Sequence, residues 1–324
     1  METSRWSWNK ERNSGLKALY QKEMADHIHS KRFLIVLGLI VLTSVAGVYG
    51  ALSGLSAALE TDKTFIFLKL FTVSGNGIPS FASFLALLGP FVGLTLGFDA
   101  INSERSEGTL NRLAAQPIYR DAIINGKFLA GASIIVTMVF AMGILVGAVG
   151  ILTTGILPEA EELGRLFVYL LFTSVYICFW LALSILFSVI CRHSATSAML
   201  GIAVWIFFAL FMSLAVNMVL NLLYPAGSVG TVGELAGFYE MNLNLNRLSP
   251  YYLYSEAVST IMDPTVRSMN IIMPQQLSGA ITGPLSLGQS LLLVWPHMVG
   301  LLALSAVIFA ASYITFMRRE IRSR

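Results

Sequence analysis

Apolar residues fall into six long runs along this chain: Phe33–Leu52, Phe81–Phe98, Phe128–Leu152, Leu166–Ile190, Ala198–Leu223 and Leu291–Phe316. None contains Asp, Glu, Lys or Arg. About 20 apolar residues cross the ~30 Å hydrocarbon core of a bilayer. No water is present there to solvate peptide groups, so each run predicts a helix. A membrane barrel would need alternating apolar and polar positions over segments of about ten residues, and no such pattern is present. The second run is short and broken by Gly89-Pro90, which predicts a kink, and Pro296 and His297 predict a bend in the sixth.

Three segments between and before these runs carry a pattern of their own. Residues 15–32, GLKALYQKEMADHIHSKR, put Leu16, Leu19, Tyr20, Met24 and Ile28 at helical spacing with basic residues elsewhere, which predicts an amphipathic helix lying on the membrane surface. The residues before the first run include Glu2, Glu11, Glu23 and Asp26, unlike the basic leader of a signal peptide, so that run is read as a retained span. Residues 99–127 form a charged loop. Residues 224–290 are rich in Pro, Gly and Asn and too long for a simple connector. The expected fold is an all-α integral membrane protein of six transmembrane helices. It has an N-terminal region over 1–32, a membrane domain over 33–317 and a basic tail over 318–324.

Composition removes the competing classes. Only 12% of the 324 residues are charged and 56% are hydrophobic, against about 25% charged in an ordinary soluble domain. Two cysteines staple nothing, and Cys178 and Cys191 lie 13 residues apart on one predicted helix, about 20 Å by helical rise. A net charge of +3 is too mild to point to nucleic acid. Where the charges sit is more telling. If both termini share one side, that side holds sixteen of the lysines and arginines and the other five: Lys63, Lys69, Arg165, Arg247 and Arg267. The positive-inside rule then places both termini in the cytoplasm of a cell-membrane protein.

The loop DAINSERSEGTLNRLAAQPIYRDAIINGK, residues 99–127, holds the clearest candidate chemistry. Glu104 and Glu107 suit the first turns of a short helix, where acid complements the positive end of the dipole. Gly108 and Thr109 allow close approach, Leu110, Leu113 and Ala114 form an apolar stripe, and Gln116-Pro117 ends the helix. Such an element suits docking into a groove of a soluble partner; the plainer reading is a solvated loop closed by a proline turn. Within the spans, Ser213, Asn217 and Asn221 share one face of the fifth, suited to a helix interface or a substrate cavity. His297 is a candidate proton or ligand group, or a histidine that is simply hydrogen-bonded. Tyr251-Tyr252-Leu253-Tyr254 reads as an interfacial aromatic anchor. Met241, Met262, Met269 and Met273 are taken as packing residues, so no metal is expected. Glu159–Arg165 lacks the spacing and histidine partner of an intramembrane protease, no HExxH is present, and no enzyme activity is expected.

The stretch GFDAINSERSEGTLNRLAAQPIYRDAIINGKFLAG resembles the loop between the second and third spans of ABC-2-type transporter permeases, with its order Asp, Glu, Glu-Gly-Thr-Leu, Pro-x-x-Arg, Gly-Lys. LYQKEMADHIHSKRFLIVLGL is similar to that family's entry helix, and the topology fits over essentially the whole chain. The loop is especially similar to permeases of nitrous-oxide-reductase maturation transporters, from which the long outer segment departs. The resemblance implies that Ser103–Gln116 is a coupling helix contacting an ATPase, with Glu104, Glu107, Gly108, Thr109, Leu110, Leu113, Pro117 and Arg120 as coupling residues. It implies that residues 15–32 are the elbow helix, with Lys17, Lys22 and Glu23, and that Asn270–Gly288 holds re-entrant helices of an outer gate. No GxxxxGK[ST] motif is present, so ATP and Mg are expected in a partner, a P-loop ATPase present twice per complex. The chain itself needs no cofactor. Its other partners would be a second copy or a sister permease, membrane lipid and an extracytoplasmic accessory protein on the outer segment. The competing functional classes are an ion-coupled carrier or channel, which would place ionisable residues within its spans, and a receptor-like anchor. Uncharged spans favour a lipid-like, amphipathic or peptidic cargo.

Overall fold

The computed structural model describes residues 2–61, 64–109, 119–224, 232–265 and 284–318, with side chains from residue 15 onward except those of Thr61 and Val232. In chain order the helices are α1 (Glu2–Ile28), α2 (Lys31–Thr61), the short α3 (Ile66–Thr72), α4 (Phe81–Gly97) and α5 (Asn102–Ser106). They continue as α6 (Arg120–Thr154), α7 (Ala160–Ile190), α8 (Ser194–Leu223), α9 (Val232–Asn246), α10 (Pro250–Met262) and α11 (Leu287–Arg318). Helices α2, α4, α6, α7, α8 and α11 are long and apolar enough to cross a membrane. They contain the six predicted runs except for Phe98, which follows α4, and four of them begin four to eight residues earlier. Charged residues such as Lys31, Arg120, Lys127 and Arg165 therefore lie inside helices rather than in the loops between them.

Helix α7 is the centre of the bundle, with Tyr169, Phe172, Tyr176, Trp180 and Leu181 shut away from the surface. It packs mainly against α4 and α11. The α4 contact is close because Gly89, Gly93 and Gly97 recur every fourth residue on the facing side. A Cβ on Gly93 would lie 2.6 Å from the Ile177 carbonyl oxygen and 2.8 Å from the Leu181 nitrogen, and one on Gly97 2.8 Å from Ser184 Cβ. Small residues at this spacing let membrane helices approach where solvent supplies no hydrophobic drive.

The same contact explains why Pro90 does not end α4. Proline has no N–H, so the carbonyl four residues back loses its helical donor. That carbonyl is Ala86, and the buried Tyr176 hydroxyl donates to it at 3.0 Å. Ser184 likewise donates to Leu94 O at 2.9 Å. The helix runs from Phe81 to Gly97 with Pro90 inside it.

Two ionic anchors, one buried and one partly buried, tie the 224–290 segment to the bundle at the end remote from α1. Arg165, fully buried on α7, donates to Ile261 O (2.8 Å), Leu285 O (2.5 Å) and Ser290 Oγ (3.1 Å) and pairs with Glu161 at 3.0 Å. On α10, Glu256 receives two bonds from Arg247 (2.7 and 2.9 Å) and lies 2.7 Å from His297 Nε2 on α11. Burial acts most strongly on Glu256 and would raise its pKa, but the hydrogen bonds and charges of Arg247 and His297 outweigh it and hold the carboxyl below its ordinary range. Ser249 caps α10 by accepting from Tyr252 N, and its hydroxyl donates to Phe208 O at 3.0 Å, inside a π-helical turn of α8 over Phe207–Phe211. A π turn frees carbonyls from their regular donors, and here a side chain supplies one.

These contacts correct the aromatic-anchor reading. Tyr254 is fully buried, stacked 4.1 Å from Tyr176 and hydrogen-bonded to Thr173 at 2.8 Å, so it is a core residue of the bundle. Of the expected re-entrant segment Asn270–Gly288, residues 270–283 lie outside the described residues, and Leu287 and Gly288 open α11.

Gly93→Val should lower the melting temperature of the detergent-purified protein, because backbone atoms of α7 cannot yield; overpacking of this kind costs about 1–3 kcal/mol. Gly38→Val, where an added Cβ would meet nothing within 4 Å, should leave the melt unchanged. Equal melts for the two variants would contradict the close α4–α7 contact.

Candidate functional site

At the α1 end of the bundle, α1, the end of α4, α5 and α6 enclose a polar cleft of about 530 Å³ lined by Lys22, Glu23, Asp26, Asp99, Glu104, Glu107, Thr109 and Lys127, among others. Local sequence puts these side chains in place. Lys22 and Glu23 are neighbours on α1, and Asp26 follows one turn after Lys22. Helix α1 lies on α6 through Leu19, which fits against Gly126: a Cβ there would lie 3.0 Å from Leu19 Cδ2. The next residue along α6 is Lys127, which therefore meets the α1 surface.

At the centre is a quartet of two cations and two anions. Lys127 Nζ lies 2.8 Å from Glu23 Oε1 and 3.5 Å from Glu104 Oε1. Lys22 Nζ reaches Glu104 at 3.0 Å, Glu23 at 3.4 Å and Asp26 at 3.5 Å. Glu23, Glu104 and Lys127 are 5%, 8% and 5% exposed. Burying charges is tolerable only when they are paired and hydrogen-bonded, and this set is balanced two against two. Thr109 completes it by donating to the second oxygen of Glu104. Desolvation acts most strongly on the Lys22 ammonium and pulls its pKa down, but the Glu104 hydrogen bond and the charges of Glu23, Glu104 and Asp26 hold it above the ordinary lysine range.

The loop is also fixed to α7. Ser188 Oγ accepts from the backbone N–H of Ile101 (2.9 Å) and Asn102 (3.2 Å). With the Asn102 amide turned to satisfy its surroundings, its nitrogen donates to Ser188 O (2.9 Å) and Cys191 O (2.8 Å). Arg32, at the start of α2, pairs with Asp99 and sits over the Phe98 ring. Arg120, at the start of α6, lies over the Phe316 ring and donates to Phe316 O at 3.3 Å, which joins α6 to the end of α11.

The structure brings together Lys22, Glu23, Glu104 and Thr109 from the sequence candidates and adds Lys127, which the sequence marks only as a topology charge and as part of the Gly-Lys pair of the family pattern. Glu107 lines the cleft rim, exposed, and Gly108 beside it has φ +70°, which favours glycine. That turn follows the end of α5 at Ser106, so Ser103–Gln116 is not one continuous helix. Glu104 stands within α5 as expected, whereas Glu107 is its C-cap. Leu110, Leu113 and Pro117 lie outside the described residues. Lys17 is exposed and belongs to a separate groove on α1, and Arg120 stands apart from the quartet. Within 15–32, Leu19 and Glu23 are both buried, and Ile28 is 48% exposed. Ser213, Asn217 and Asn221 are exposed along α8, and His297 belongs to the remote anchor with Glu256.

Replacing Lys127 with Met strands two buried carboxylates, a change that typically costs about 3–5 kcal/mol. Lys127→Met should depress the melt far more than Lys22→Met, whose side chain is 46% exposed. Equal shifts would mean that Lys127 is not the buried centre of the cluster.

With this geometry in hand, comparison with known proteins is specific. A family model for ABC-2 family transporter proteins matches residues 17–321. A probable ABC transporter permease protein NosY of Pseudomonas aeruginosa is 30% identical over 205 residues, covering 62% of this chain and 70% of that protein. A protein of the same description from Stutzerimonas stutzeri is 28% identical over 199 residues, 60% of this chain and 66% of the relative. The matched region contains all six apolar helices and every residue of the quartet, so the chain belongs to the ABC-2 transporter family and is the membrane subunit of an ABC transporter, a protein class that works with an ATPase subunit.

Proposed function

We propose that this chain is an export permease of the cytoplasmic membrane with both termini inside the cell. It forms one half of a permease pair driven by two separate P-loop ATPase subunits, which hold ATP and Mg. In this reading the Lys22–Glu23–Glu104–Lys127 quartet receives the motion of the ATPase. The orientation is supported by the sixteen lysines and arginines that gather on the side of the termini. One observation carries the coupling role: Glu104, in the loop after α4, is bound at once to α1 through Lys22 and to α6 through Lys127.

Force applied at the Glu107–Thr109 rim, exposed at Glu107 and Gly108, has few ways to dissipate. Thr109 bonds to Glu104, Glu104 to two helices, and the root of the loop to Ser188 of α7. A partner that closes on ATP and holds the loop in one position would favour the bundle arrangement compatible with it, shifting the balance between inward-open and outward-open states. Ser213, Asn217 and Asn221 would then face the second permease or the cavity between the two. The 224–290 segment, held by Arg165 and Glu256, would form the outer gate or seat an accessory protein.

Glu107→Arg tests the assignment without disturbing the fold, since this side chain is exposed. In the reconstituted permease–ATPase complex it should lower substrate-stimulated ATP hydrolysis and transport by about tenfold, the effect of some 1.4 kcal/mol, with the permease melt unchanged. Full stimulation and transport in this variant would sink the coupling role.

A further inference from the structure

A second cavity, of about 340 Å³, opens beside the quartet between α1 and α6, lined by Leu16, Lys17, Tyr20, Leu129 and Ser133. Its position is set by the span: Leu129 and Ser133 stand two and six residues after Lys127, where the apolar run of α6 begins. Leu129 is 45% exposed. Lys17, Tyr20 and Ser133 add an ammonium and two hydroxyl groups. Among the described residues no carboxylate pairs with Lys17, in contrast to Lys22 and Lys127.

We propose that this groove binds one anionic phospholipid of the cytoplasmic leaflet, with its phosphate at Lys17 and the Tyr20 and Ser133 hydroxyls and an acyl chain along Leu16 and Leu129. Its leaflet rests on the orientation proposed above; the site itself does not. An apolar cleft at the start of a membrane span is costly to fill with water, and an acyl chain satisfies it. The cationic rim selects headgroup charge, because the cytoplasmic leaflet is negative and each basic residue near it adds attraction. Lys17 and Tyr20 lie within two turns of Lys22 and Glu23 on the same helix. The bound lipid therefore wedges α1 against α6 next to the quartet and makes the coupling machinery sensitive to lipid charge.

The test is native mass spectrometry of the detergent-extracted permease–ATPase complex, offered phosphatidylglycerol and phosphatidylcholine with identical chains, with inorganic phosphate in a separate arm. Wild type should retain one phosphatidylglycerol per permease through delipidation. Lys17→Gln should cut the preference for phosphatidylglycerol about fivefold, the effect of one basic residue near a membrane surface. Ser133→Trp, or Ser133→Leu if the larger side chain prevents folding, should release lipid of either kind. Arg192→Gln, an exposed cation elsewhere on the same side, should behave as wild type. Retention unchanged in the Lys17 or Ser133 variants, an equal loss in Arg192→Gln, or displacement of lipid by inorganic phosphate would each overturn the assignment.

Discussion

Lys127 is an ammonium group on a membrane helix, almost completely removed from solvent, and much of the architecture at that end of the molecule follows from the need to neutralise it. Neutralising one such charge takes a carboxylate within hydrogen-bond distance; Glu23 supplies it, so α1 must lie along α6. The second carboxylate, Glu104, brings the loop after α4 to the same point and needs its own cation, which Lys22 provides. Lone charges in such surroundings would cost several kcal/mol each. The cluster is therefore intact only when three separate parts of the chain are in register, and a displacement of any one is felt by the others. This property suits a subunit that must turn the motion of a soluble partner into a rearrangement of membrane helices.

The remote end obeys the same rule with different side chains. Arg165 has no exposed surface and spends its donors on two backbone carbonyls, a serine hydroxyl and Glu161. Glu256 is held between Arg247 and His297. Helix α10 thereby becomes part of the bundle, with Tyr254 stacked into the aromatic core of α7. Between these two polar ends the core is held by shape: Gly89, Gly93 and Gly97 admit α7 so closely that its Tyr176 and Ser184 hydroxyls reach carbonyls of α4.

The six spans were legible because lipid leaves no other solution for apolar runs of that length, and the charged loop was legible because its acids and turn residues stand in a recognisable order. What sequence reading missed depended on partners far along the chain. How α4 tolerates Pro90 is one case: nothing near it announces that Tyr176, 86 positions later, donates to the carbonyl it leaves free. Tyr254 looked like an interfacial anchor because its neighbours are aromatic, whereas its environment is set by α7. Lys127 sits just before an apolar run and so served as a topology marker; its partner Glu23 is 104 residues away. The glycine spacing of α4 was visible in the sequence, and its meaning became clear only with α7 opposite it. The positive φ of Gly108, beside the C-cap of α5, was not visible in the sequence either.

The account stands on the loop and α1 acting as one body in the working transporter. A double-mutant cycle of Lys22→Met and Glu104→Gln, read as substrate-stimulated ATP hydrolysis by the reconstituted permease–ATPase complex, measures that directly. Groups acting as a unit are non-additive, with interaction energies of about 0.5–3 kcal/mol, so the double variant should be scarcely worse than the more impaired single one. If the two effects instead multiply independently, or neither changes hydrolysis, the quartet is a structural ion cluster and the coupling path lies elsewhere.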